Sequence, residues 1–338
     1  MSGQKSGSVG VYKETSEKSA VNKHPIADQQ NCFGSFLSNP SPLTIQHMSL
    51  DHKIMHSKKV IREFYNAMEG KVSVSFSGGK DSTVMLHLIR SVYPDVPAVF
   101  YDTGLEFPEI VSFVKEHENV TIIRPGVSFK QVIERWGYPV IGKEVAHYTN
   151  LAKKGTPSGL QRFTGENSRY DYSKYKYLID APFKISEYCC NKLKKQPAYK
   201  YYKETGNGQF IGSRNEESLR RETAWLEMGE NRYDTKTPTS NPLSIWKQKD
   251  VDAYIERHKL PLSTVYTEMG YERTGCMFCM FGVHLDDTPN RFQIMRRTHP
   301  KRWEWCMRSV ADGGLGLQEV LDYIKVPSGA GQTSLEVF

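Results

Sequence analysis

A six-residue stretch, Ser77–Ser82, combines two glycines with a lysine, an aspartate and two serines. It follows the apolar run 72–76 and precedes residues 83–90, which have helical apolar spacing. The pattern predicts strand, tight turn and helix, and the glycines let the backbone approach a ligand closely. Backbone N–H groups at such a helix start favour anions, and Lys80 adds a positive charge. We call this stretch the glycine loop and predict that it binds phosphate; an ordinary turn with a serine cap is the alternative.

The side chains of the glycine loop suggest their own roles. Ser77 and Ser82 supply hydroxyl donors, and Asp81 is a candidate ligand for Mg²⁺ or a helix cap. The spacing of Gly78, Gly79 and Lys80 matches neither a Walker loop nor a dinucleotide-binding fingerprint. Instead, the six residues resemble the PP-loop of the ATP-pyrophosphatase superfamily, which binds the pyrophosphate part of ATP.

Two more groups of polar residues follow apolar runs that predict strands. They are Asp102-Thr103-Gly104, after residues 98–101, and Gly212-Ser213-Arg214, at the end of the run 209–212. Ligands of parallel α/β sheets bind beyond the carboxyl ends of the strands. We therefore expect these groups and the glycine loop to face one crevice.

Arg214 and Arg221 are candidates for binding the phosphate or sulfate end of a ligand. A guanidinium group matches the oxygens of such an anion better than an ammonium group does. The two arginines are seven positions apart, with Ser218 between them, so on one helix they would share a face. An exposed helix with weak Glu–Arg pairs is the alternative.

Four cysteines form a candidate metal site: Cys189-Cys190 and the turn from Cys276 to Cys279. Thiolates of this kind hold zinc or an iron–sulfur cluster. Adjacent cysteines are awkward ligands for one small tetrahedral ion, and a larger cluster accommodates them more easily. Lysines after Cys190 would offset the negative charge. Cys306 is a candidate substitute for one of the adjacent pair, and buried reduced thiols or a redox disulfide are the alternatives.

The elements that position these residues alternate between β and α patterns. They predict an α/β fold with a doubly wound, mainly parallel sheet. Strands are expected at residues 72–76, 98–101, 120–123 and 209–212, and helices at about 49–68, 83–90 and from 108 onward. A helical region with the C-x-x-C turn follows, including a helix over residues 250–258.

We predict a flexible N-terminal arm at residues 1–45, a nucleotide-binding α/β domain at 46–240 and a helical C-terminal region at 241–330. Within the domain, lysines and tyrosines interleave in an insertion at about residues 141–206. Basic and aromatic side chains can follow a nucleic-acid backbone and stack on bases. The insertion and the arm are therefore candidate contacts for a nucleic acid or a protein partner. A solvated insertion whose tyrosines pack locally is the alternative.

The composition of the 338 residues agrees with a soluble protein. Hydrophobic residues make up 38%, the mean hydropathy is −0.56, and no apolar run reaches the roughly 20 residues of a membrane span. The net charge of +7 is compatible with a polyanionic ligand but is also common in proteins that bind none. The N-terminus lacks an apolar signal core, so we expect a cytoplasmic protein. The sequence leaves a homo-oligomer open.

Together the motifs resemble the phosphoadenosine phosphosulfate (PAPS) reductase family. The resemblance spans about residues 50–310 and rests on Ser77–Ser82, Asp102-Thr103-Gly104 with Pro108-Glu109, Gly212-x-Arg214-x-x-Glu217-Ser218-x-x-Arg221, and Pro242-Leu243-x-x-Trp246 with Asp250-Val251. The cysteines further resemble the branch with a four-iron, four-sulfur (4Fe-4S) cluster. That branch includes adenosine phosphosulfate (APS) reductases and DNA phosphorothioation proteins.

The resemblance implies an adenine nucleotide alpha hydrolase-like fold that binds ATP or an adenosine phosphosulfate, Mg²⁺ and a 4Fe-4S cluster, with Zn²⁺ as the alternative metal. It implies catalytic roles for Lys80, Asp81, Arg214 and Arg221. The nucleotide would contact the glycine loop (Ser77, Gly78, Gly79, Lys80, Asp81, Ser82), Asp102, Thr103, Gly104, Gly212, Arg214, Ser218 and Arg221. The metal ligands would be Cys189, Cys190, Cys276 and Cys279.

Reductases of this family attack the sulfonate with a cysteine in a mobile C-terminal Glu-Cys-Gly segment. Here no cysteine follows Cys306, so we expect a different reaction. The leading hypothesis is activation of an acceptor by adenylylation with pyrophosphate release, for sulfur transfer to nucleic acid. One alternative is a PAPS or APS reductase that uses Cys306 or the thiol of a partner. Another is a nucleic-acid-binding or regulatory subunit with a nucleotide-sensing site.

Overall fold

A six-stranded sheet forms the centre of the computed structural model, which describes residues 48–166 and 171–330. The strands of the described residues are β1 (Val72–Ser75), β2 (Ala98–Tyr101), β3 (Val120–Ile123), β4 (Val140–Ile141), β5 (Gly208–Ile211), β6 (Asn231–Arg232), β7 (Thr239–Ser240) and β8 (Met280–Phe281). The main sheet has the order β3-β2-β1-β5-β7-β6, and all its pairs are parallel except β6 with β7. The prediction of a mainly parallel α/β sheet is confirmed.

The central strands are buried because their β-branched and aromatic residues face packed layers on both sides. Val74 of β1 and Phe210 of β5 are fully buried, and Phe100 of β2 is 2% exposed. The edge strand β3 is different, since Ile122 is 38% exposed there. The core therefore lies under β1, β2 and β5, which are the strands that carry the polar motifs.

Helices connect the strands. The α-helices of seven or more residues are α1 (Leu50–Ala67), α2 (Lys80–Arg90), α3 (Pro108–Lys115), α4 (Phe129–Trp136), α5 (Lys143–Lys153), α6 (Gln196–Thr205), α7 (Leu219–Met228), α8 (Gln248–His258), α9 (Arg291–Thr298), α10 (Pro300–Met307) and α11 (Leu317–Tyr323). Ser49 caps α1, Pro108 opens α3, and Ser128 with Gln131 forms a capping box at α4. None of the helices in the described ranges is long and apolar enough to cross a membrane.

A second, two-stranded sheet joins β4 to β8 in parallel, with Val140 beside Met280 and Ile141 beside Phe281. It connects the start of the predicted insertion to the strand that follows the C-x-x-C turn. The sequence did not indicate these strands, because two-residue strands have no measurable periodicity. The predicted arm at residues 1–45 lies outside the described residues, so its flexibility stays a prediction.

β1, β2 and β5 are parallel neighbours, so their carboxyl ends lie at one edge of the sheet. The glycine loop, Asp102–Gly104 and Gly212–Arg214 follow these strands and therefore lie at this edge of the sheet. Of these residues, Ser77 is the one on the wall of the cavity found there. Gly212 shows how close the loops come: a Cβ there would lie 3.4 Å from the backbone of Asp81. A larger side chain at this position would push β5 away from the start of α2.

A buried ion pair fixes α1 to the start of α8. Lys53 Nζ lies 2.5 Å from Asp250 Oδ2, and the two side chains are 0% and 8% exposed. The same carboxylate accepts the Lys247 N–H at 2.7 Å, which caps α8. Because a buried charge without its partner is costly, this pair makes the packing of α1 against α8 specific.

Replacing Asp250 by Asn should lower the free energy of unfolding by about 3–5 kcal/mol, because the Lys53 ammonium stays buried without a counter-charge. Denaturant titration followed by tryptophan fluorescence measures the loss. The matched control is Glu204→Gln, which removes one charge of the exposed Lys200–Glu204 pair and should cost less than about 1 kcal/mol. Equal losses in the two variants would contradict the assigned role of the buried pair.

Candidate functional site

The glycine loop makes a sharp turn that only glycine fits at its second position. Gly78 has φ +71°, and a Cβ there would lie 2.9 Å from Ile110 Cγ2 and 3.0 Å from Val114 Cγ2 of α3. The next residue, Gly79, is the N-cap of α2 and has no side chain to cap the helix. The first N–H groups of α2 are therefore not taken by the side chain of the N-cap residue, which suits an anion-binding role.

The two serines of the loop hold its shape. The Ser77 N–H donates to Ser82 Oγ at 3.2 Å, and Ser82 Oγ donates to the Gly79 carbonyl at 2.9 Å. Because the Ser82 hydrogen is thus used, Ser77 Oγ must be the donor in the 3.0 Å contact between the two hydroxyls. In this conformation both hydroxyl hydrogens are used in hydrogen bonds within the loop. The backbone N–H groups are therefore better placed than the hydroxyls to meet an anion.

Asp81, the residue considered for Mg²⁺, is paired with a cation of the protein. Asp81 Oδ1 lies 2.9 Å from Arg214 Nε. Burial raises the pKa of Asp81, and Arg214 opposes that shift as the largest favourable charge. Lys80, by contrast, is partly exposed and lies 3.8 Å from the half-exposed Asp252. Lys80 therefore has the freer charge of the two.

The structure places Arg214 in a buried set of contacts. Its side chain is 3% exposed, and besides Asp81 it contacts Glu216 through Nη1 and donates from Nη2 to Gln248 Oε1 at 2.8 Å. Each nitrogen of its guanidinium group thus has a protein oxygen close to it, although Nε and Asp81 Oδ1 form an ion pair without hydrogen-bond geometry. Arg214 therefore connects these loops. This burial could not be predicted from the sequence, because the partner Gln248 is distant from Arg214 along the chain.

Arg214 and Arg221 also do not share a helix face. A 3₁₀ turn at residues 215–217 follows Arg214, and α7 starts only at Leu219, capped by Ser218. The predicted continuous helix is wrong here because the serine cap restarts the helix after the turn. Arg221 is 44% exposed and pairs with Glu217. Its positive charge also acts to lower the pKa of Asp81. Arg221 is thus the arginine of the two that faces solvent near the glycine loop.

The loop after β2 is held by its own acidic residues. Asp102 accepts the Gly104 N–H at 3.0 Å and pairs with Arg124 at 2.9 Å. Thr103 donates its N–H to Glu106 Oε2 at 2.9 Å and its hydroxyl to the same carboxylate. Gly104, at φ +76°, completes the turn. Asp102 and Thr103 therefore shape this side of the crevice through contacts within the loop and, for Asp102, with Arg124 after β3.

A cavity of about 280 Å³, open to solvent, lies at the carboxyl ends of the three strands. Its size is close to the lower end of the range for small-molecule sites, about 300–1,000 Å³. The apolar part of its wall includes Phe76, Phe100, Ile110 and Ile211, and the polar part includes Ser77, Glu106, Lys194, Lys195, Gln209 and Thr274. An apolar wall that meets cations and hydroxyls suits a ligand with a ring at one end and an anion at the other.

The four predicted cysteine ligands line one adjacent cavity. Cys189, Cys190, Cys276 and Cys279 form its wall together with Leu105, Phe129, Pro139, Leu193 and Lys194. A single helical turn carries the adjacent pair, and the Met277 N–H donates to the Leu105 carbonyl at 2.7 Å, which fixes the C-x-x-C turn against the loop after β2. Lys194 lines both cavities, so the two share a wall.

Burial and nearby lysines set the charge of these thiols. Burial raises the pKa of Cys276 to about 11 and also raises that of Cys279. The hydrogen bond with Cys189 lowers the pKa of Cys190 against burial, and Lys143, Lys194 and Lys195 add to the effect. Burial would lower the pKa of Lys194, but Cys276, Glu106 and Cys190 raise it above its usual value. Lys194 is therefore the counter-charge of both cavities.

The thiols around this cavity are all free to act as ligands. All five cysteines of the described residues are free, with 4.0 Å between the sulfurs of Cys189 and Cys190. Over residues 48–166 and 171–330, no group of three or more His, Cys, Asp or Glu side chains is arranged to hold a metal ion. Four cysteine thiolates can hold either a zinc ion or an iron–sulfur cluster, so the wall carries the donor type that both groups need.

Cys306, the predicted substitute ligand, lies elsewhere. It is fully buried in α10, and its thiol donates to the Trp303 carbonyl at 3.2 Å. It is absent from the walls of both cavities. The structure thus brings together the two predicted pairs and leaves Cys306 in the helical packing.

The family model of the phosphoadenosine phosphosulfate reductase domain matches residues 71–281, which is more than half of the chain. The chain belongs to the PAPS reductase family. The matched region contains the glycine loop, both cavities and all four of the clustered cysteines.

Relatives within this family are distant. An uncharacterised protein of Methanocaldococcus jannaschii is 28% identical over 252 residues, covering 72% of this chain and 42% of the relative. The chain spans less than half of the length of this relative and of a second one from the same archaeon. An adenosine 5′-phosphosulfate reductase of Bacillus cereus is 23% identical over 233 residues, covering 65% of this chain and 77% of the relative. The solved structure of a PAPS reductase from Candida auris, in a phosphate complex, has a TM-score of 0.40 and 19% identity, covering 67% of this chain and 93% of that one.

In this member of the PAPS reductase family, several residues that line the large cavity were not predicted from the sequence. Glu106 accepts from the loop after β2 and lies 3.6 Å from Lys194. Gln209 contacts the Tyr101 hydroxyl, and burial raises the pKa of Tyr101 to about 12. Thr274 lines the large cavity although it is far from the glycine loop in sequence. Glu106 and Thr274 could have been proposed as site residues, because each lies within a few residues of a recognised motif.

Replacing Gly78 by Ala should lower the free energy of unfolding by about 1–3 kcal/mol, because alanine resists positive φ and its Cβ meets α3. Urea titration of both proteins measures the difference. Gly126→Ala is the control, since a Cβ there has no atom within 4 Å, and its stability should stay within about 0.5 kcal/mol of the parent. A Gly78→Ala protein as stable as the control would show that the loop relaxes easily.

Proposed function

We propose that the chain binds an adenosine nucleotide, ATP or an adenosine phosphosulfate, in the large cavity and uses ATP to activate an acceptor by adenylylation. One observation carries the proposal. Ser77 of the glycine loop lines the same cavity as Phe76, Phe100 and Ile211, so a site for phosphate oxygens adjoins a site for an apolar ring. Membership in the PAPS reductase family supports this ligand class.

The adenine ring would lie against the apolar wall, and the phosphates would point to the start of α2. Backbone N–H groups and the positive end of the helix dipole favour anions there. Lys194 and Lys195 add positive charge to the cavity wall. Mg²⁺ would arrive with the nucleotide phosphates, since Asp81 is already paired with Arg214.

In the proposed reaction an acceptor oxygen attacks the α-phosphorus, and the bond from that phosphorus to the bridging oxygen of pyrophosphate breaks. The electron pair leaves with pyrophosphate, whose added charge Lys80 would neutralise. Lys80 is free to turn toward it because its contact with Asp252 is long and partly exposed. A sulfur or nitrogen donor then displaces AMP from the acceptor.

The cysteine cavity supports a cofactor proposal. Cys189, Cys190, Cys276 and Cys279 would hold a 4Fe-4S cluster, which when bound supplies electron transfer or a binding site for sulfur. Lys194 would offset the charge of the thiolates from the wall that the cavities share. Zinc is the alternative metal.

We propose a nucleic acid as the acceptor, on the basis of the insertion. Lys154 and Lys176 are exposed there, and Tyr177 is 38% exposed. Other tyrosines pack locally: Tyr148 lies under Arg162 at 4.7 Å, and Tyr172 donates to Glu144 at 2.9 Å. The lysines, more than the tyrosines, would thus contact the phosphate backbone, and binding should weaken with salt.

The family also favours a second candidate, a PAPS or APS reductase that uses the thiol of a partner. A reductase that used Cys306 as its own nucleophile would require this buried side chain to move. A nucleotide-sensing subunit is the third candidate. The assays below separate the three, because sulfite forms only in the reductase and neither product forms in the sensor.

Anaerobically purified protein should convert α-labelled ATP to AMP and pyrophosphate, and Lys80→Ala should slow this about a hundredfold, as removal of one charge-stabilising donor does. The control is Lys59→Ala, which removes an exposed lysine of α1 and should leave the rate unchanged. PAPS and APS with thioredoxin are assayed in parallel for sulfite. Sulfite with no AMP would replace the proposal by the reductase candidate, and tight nucleotide binding without either product would replace it by the sensor.

The same preparation should contain about four irons and equivalent acid-labile sulfide per chain. Cys276→Ser should lose both, because it removes a thiol from the cavity wall, whereas Cys306→Ser should retain them. Metal and sulfide analysis with circular dichroism measures cluster and fold separately. Zinc in place of iron would support the alternative metal, and an unchanged iron content in Cys276→Ser would contradict the assigned ligand set.

A further inference from the structure

Two hydroxyl groups from a distant segment lie over the glycine loop. Tyr266 OH and Thr274 Oγ1 are each 3.3 Å from the point that a Cβ on Gly79 would occupy. The two hydroxyls are hydrogen-bonded to each other. The Lys80 ammonium lies 5.4 Å from the centre of the Tyr266 ring. The pair therefore covers the start of α2, where the phosphates of the ligand are proposed to bind.

The hydrogen bond between the two hydroxyls leaves one hydrogen over. Burial raises the pKa of Tyr266, so the phenol keeps its proton. Either hydroxyl can be the donor in the contact between Tyr266 OH and Thr274 Oγ1, and only one hydrogen can lie between the two oxygens. When Tyr266 donates, the hydrogen of Thr274 is left for a ligand. Thr274 also lines the large cavity, whereas Tyr266 does not.

We propose that the Thr274 hydroxyl donates a hydrogen bond to a phosphate oxygen of the bound nucleotide, and that Tyr266 is the positioning residue that fixes its direction. This inference rests on the proposed function and adds a substrate-contacting residue to it. In this arrangement the Tyr266 hydroxyl donates to Thr274, and the Thr274 hydroxyl donates into the cavity. Such chains strengthen their members, because each donor polarises the next.

The main test compares Thr274→Val with Thr274→Ser. Valine keeps the shape and removes the donor, so affinity for inorganic pyrophosphate and for ATP should fall about ten- to a hundredfold, as for loss of a hydrogen bond to a charged group. Serine keeps the donor and should bind within about threefold of the parent. Calorimetric titration measures both ligands, and thermal unfolding checks that each variant is folded. Thr267→Val, the same change at an exposed position of the same segment, should bind like the parent.

Tyr266→Phe tests the positioning role. It should weaken pyrophosphate binding less than Thr274→Val does, because the threonine donor remains but loses its orientation. In the double variant Tyr266→Phe/Thr274→Val, the tyrosine change should add no further loss, since it acts through the threonine. Independent, additive losses would overturn the positioning role.

The outcomes separate this inference from the proposed function. A parent protein that binds neither pyrophosphate nor ATP would overturn the proposed function and the inference with it. A parent that binds both ligands, with Thr274→Val binding equally well, would overturn the inference alone. If Thr274→Val is unfolded, the serine variant and the Tyr266→Phe series decide, because weak binding by a folded serine variant would also contradict the assigned donor.

Discussion

The geometry of the crevice depends on one buried guanidinium group. Arg214, 3% exposed, contacts Asp81 in the first turn of α2, Glu216 in the turn after β5, and Gln248 at the start of α8. A buried charge must keep its partners, because the cost of an uncompensated one is several kcal/mol. These contacts therefore fix the glycine loop relative to β5 and to the C-terminal part of the chain. Gly212 allows this approach, since its missing side chain leaves the backbone of Asp81 within contact distance.

Lys194 connects the charges of the two cavities. Thiolates on one side and ligand phosphates on the other would repel across their shared wall, because the interior screens charge less than water does. Lys194 lies in that wall, 3.6 Å from Glu106 and close enough to Cys276 and Cys190 for their charges to raise its pKa. One ammonium group cannot neutralise all of these anions. The charge state of the thiols should therefore influence how strongly an anionic ligand is held in the neighbouring cavity.

Structural features that depend on a short segment could be predicted from the sequence, whereas features that depend on contacts between distant residues could not. β2 and β3 were predicted with their observed bounds because short runs rich in β-branched and aromatic residues indicate strands, both in the buried β2 and at the exposed edge in β3. The turn at Gly78 was also recognisable, since its conformation follows from two adjacent glycines. The burial of Arg214 could not be predicted, because residue type and spacing carry no information on burial. The β4–β8 pair, and Thr274 above the glycine loop, depend on residues more than a hundred positions apart, and no periodicity records such contacts.

The segment from Tyr266 to Cys279 explains why the two cavities should act as one site. Its first part covers the glycine loop, its middle lines the large cavity at Thr274, and its end supplies two of the four clustered thiols. Only Gly275 separates Thr274 from Cys276, so a shift of the C-x-x-C turn changes the position of the hydroxyl above the phosphate site. The Met277 N–H ties the same turn to the loop after β2. Because coupling between two sites is reciprocal in binding free energy, a group that ordered the cysteine cavity would also order the proposed phosphate site, and a bound nucleotide would in turn favour the ordered cysteines.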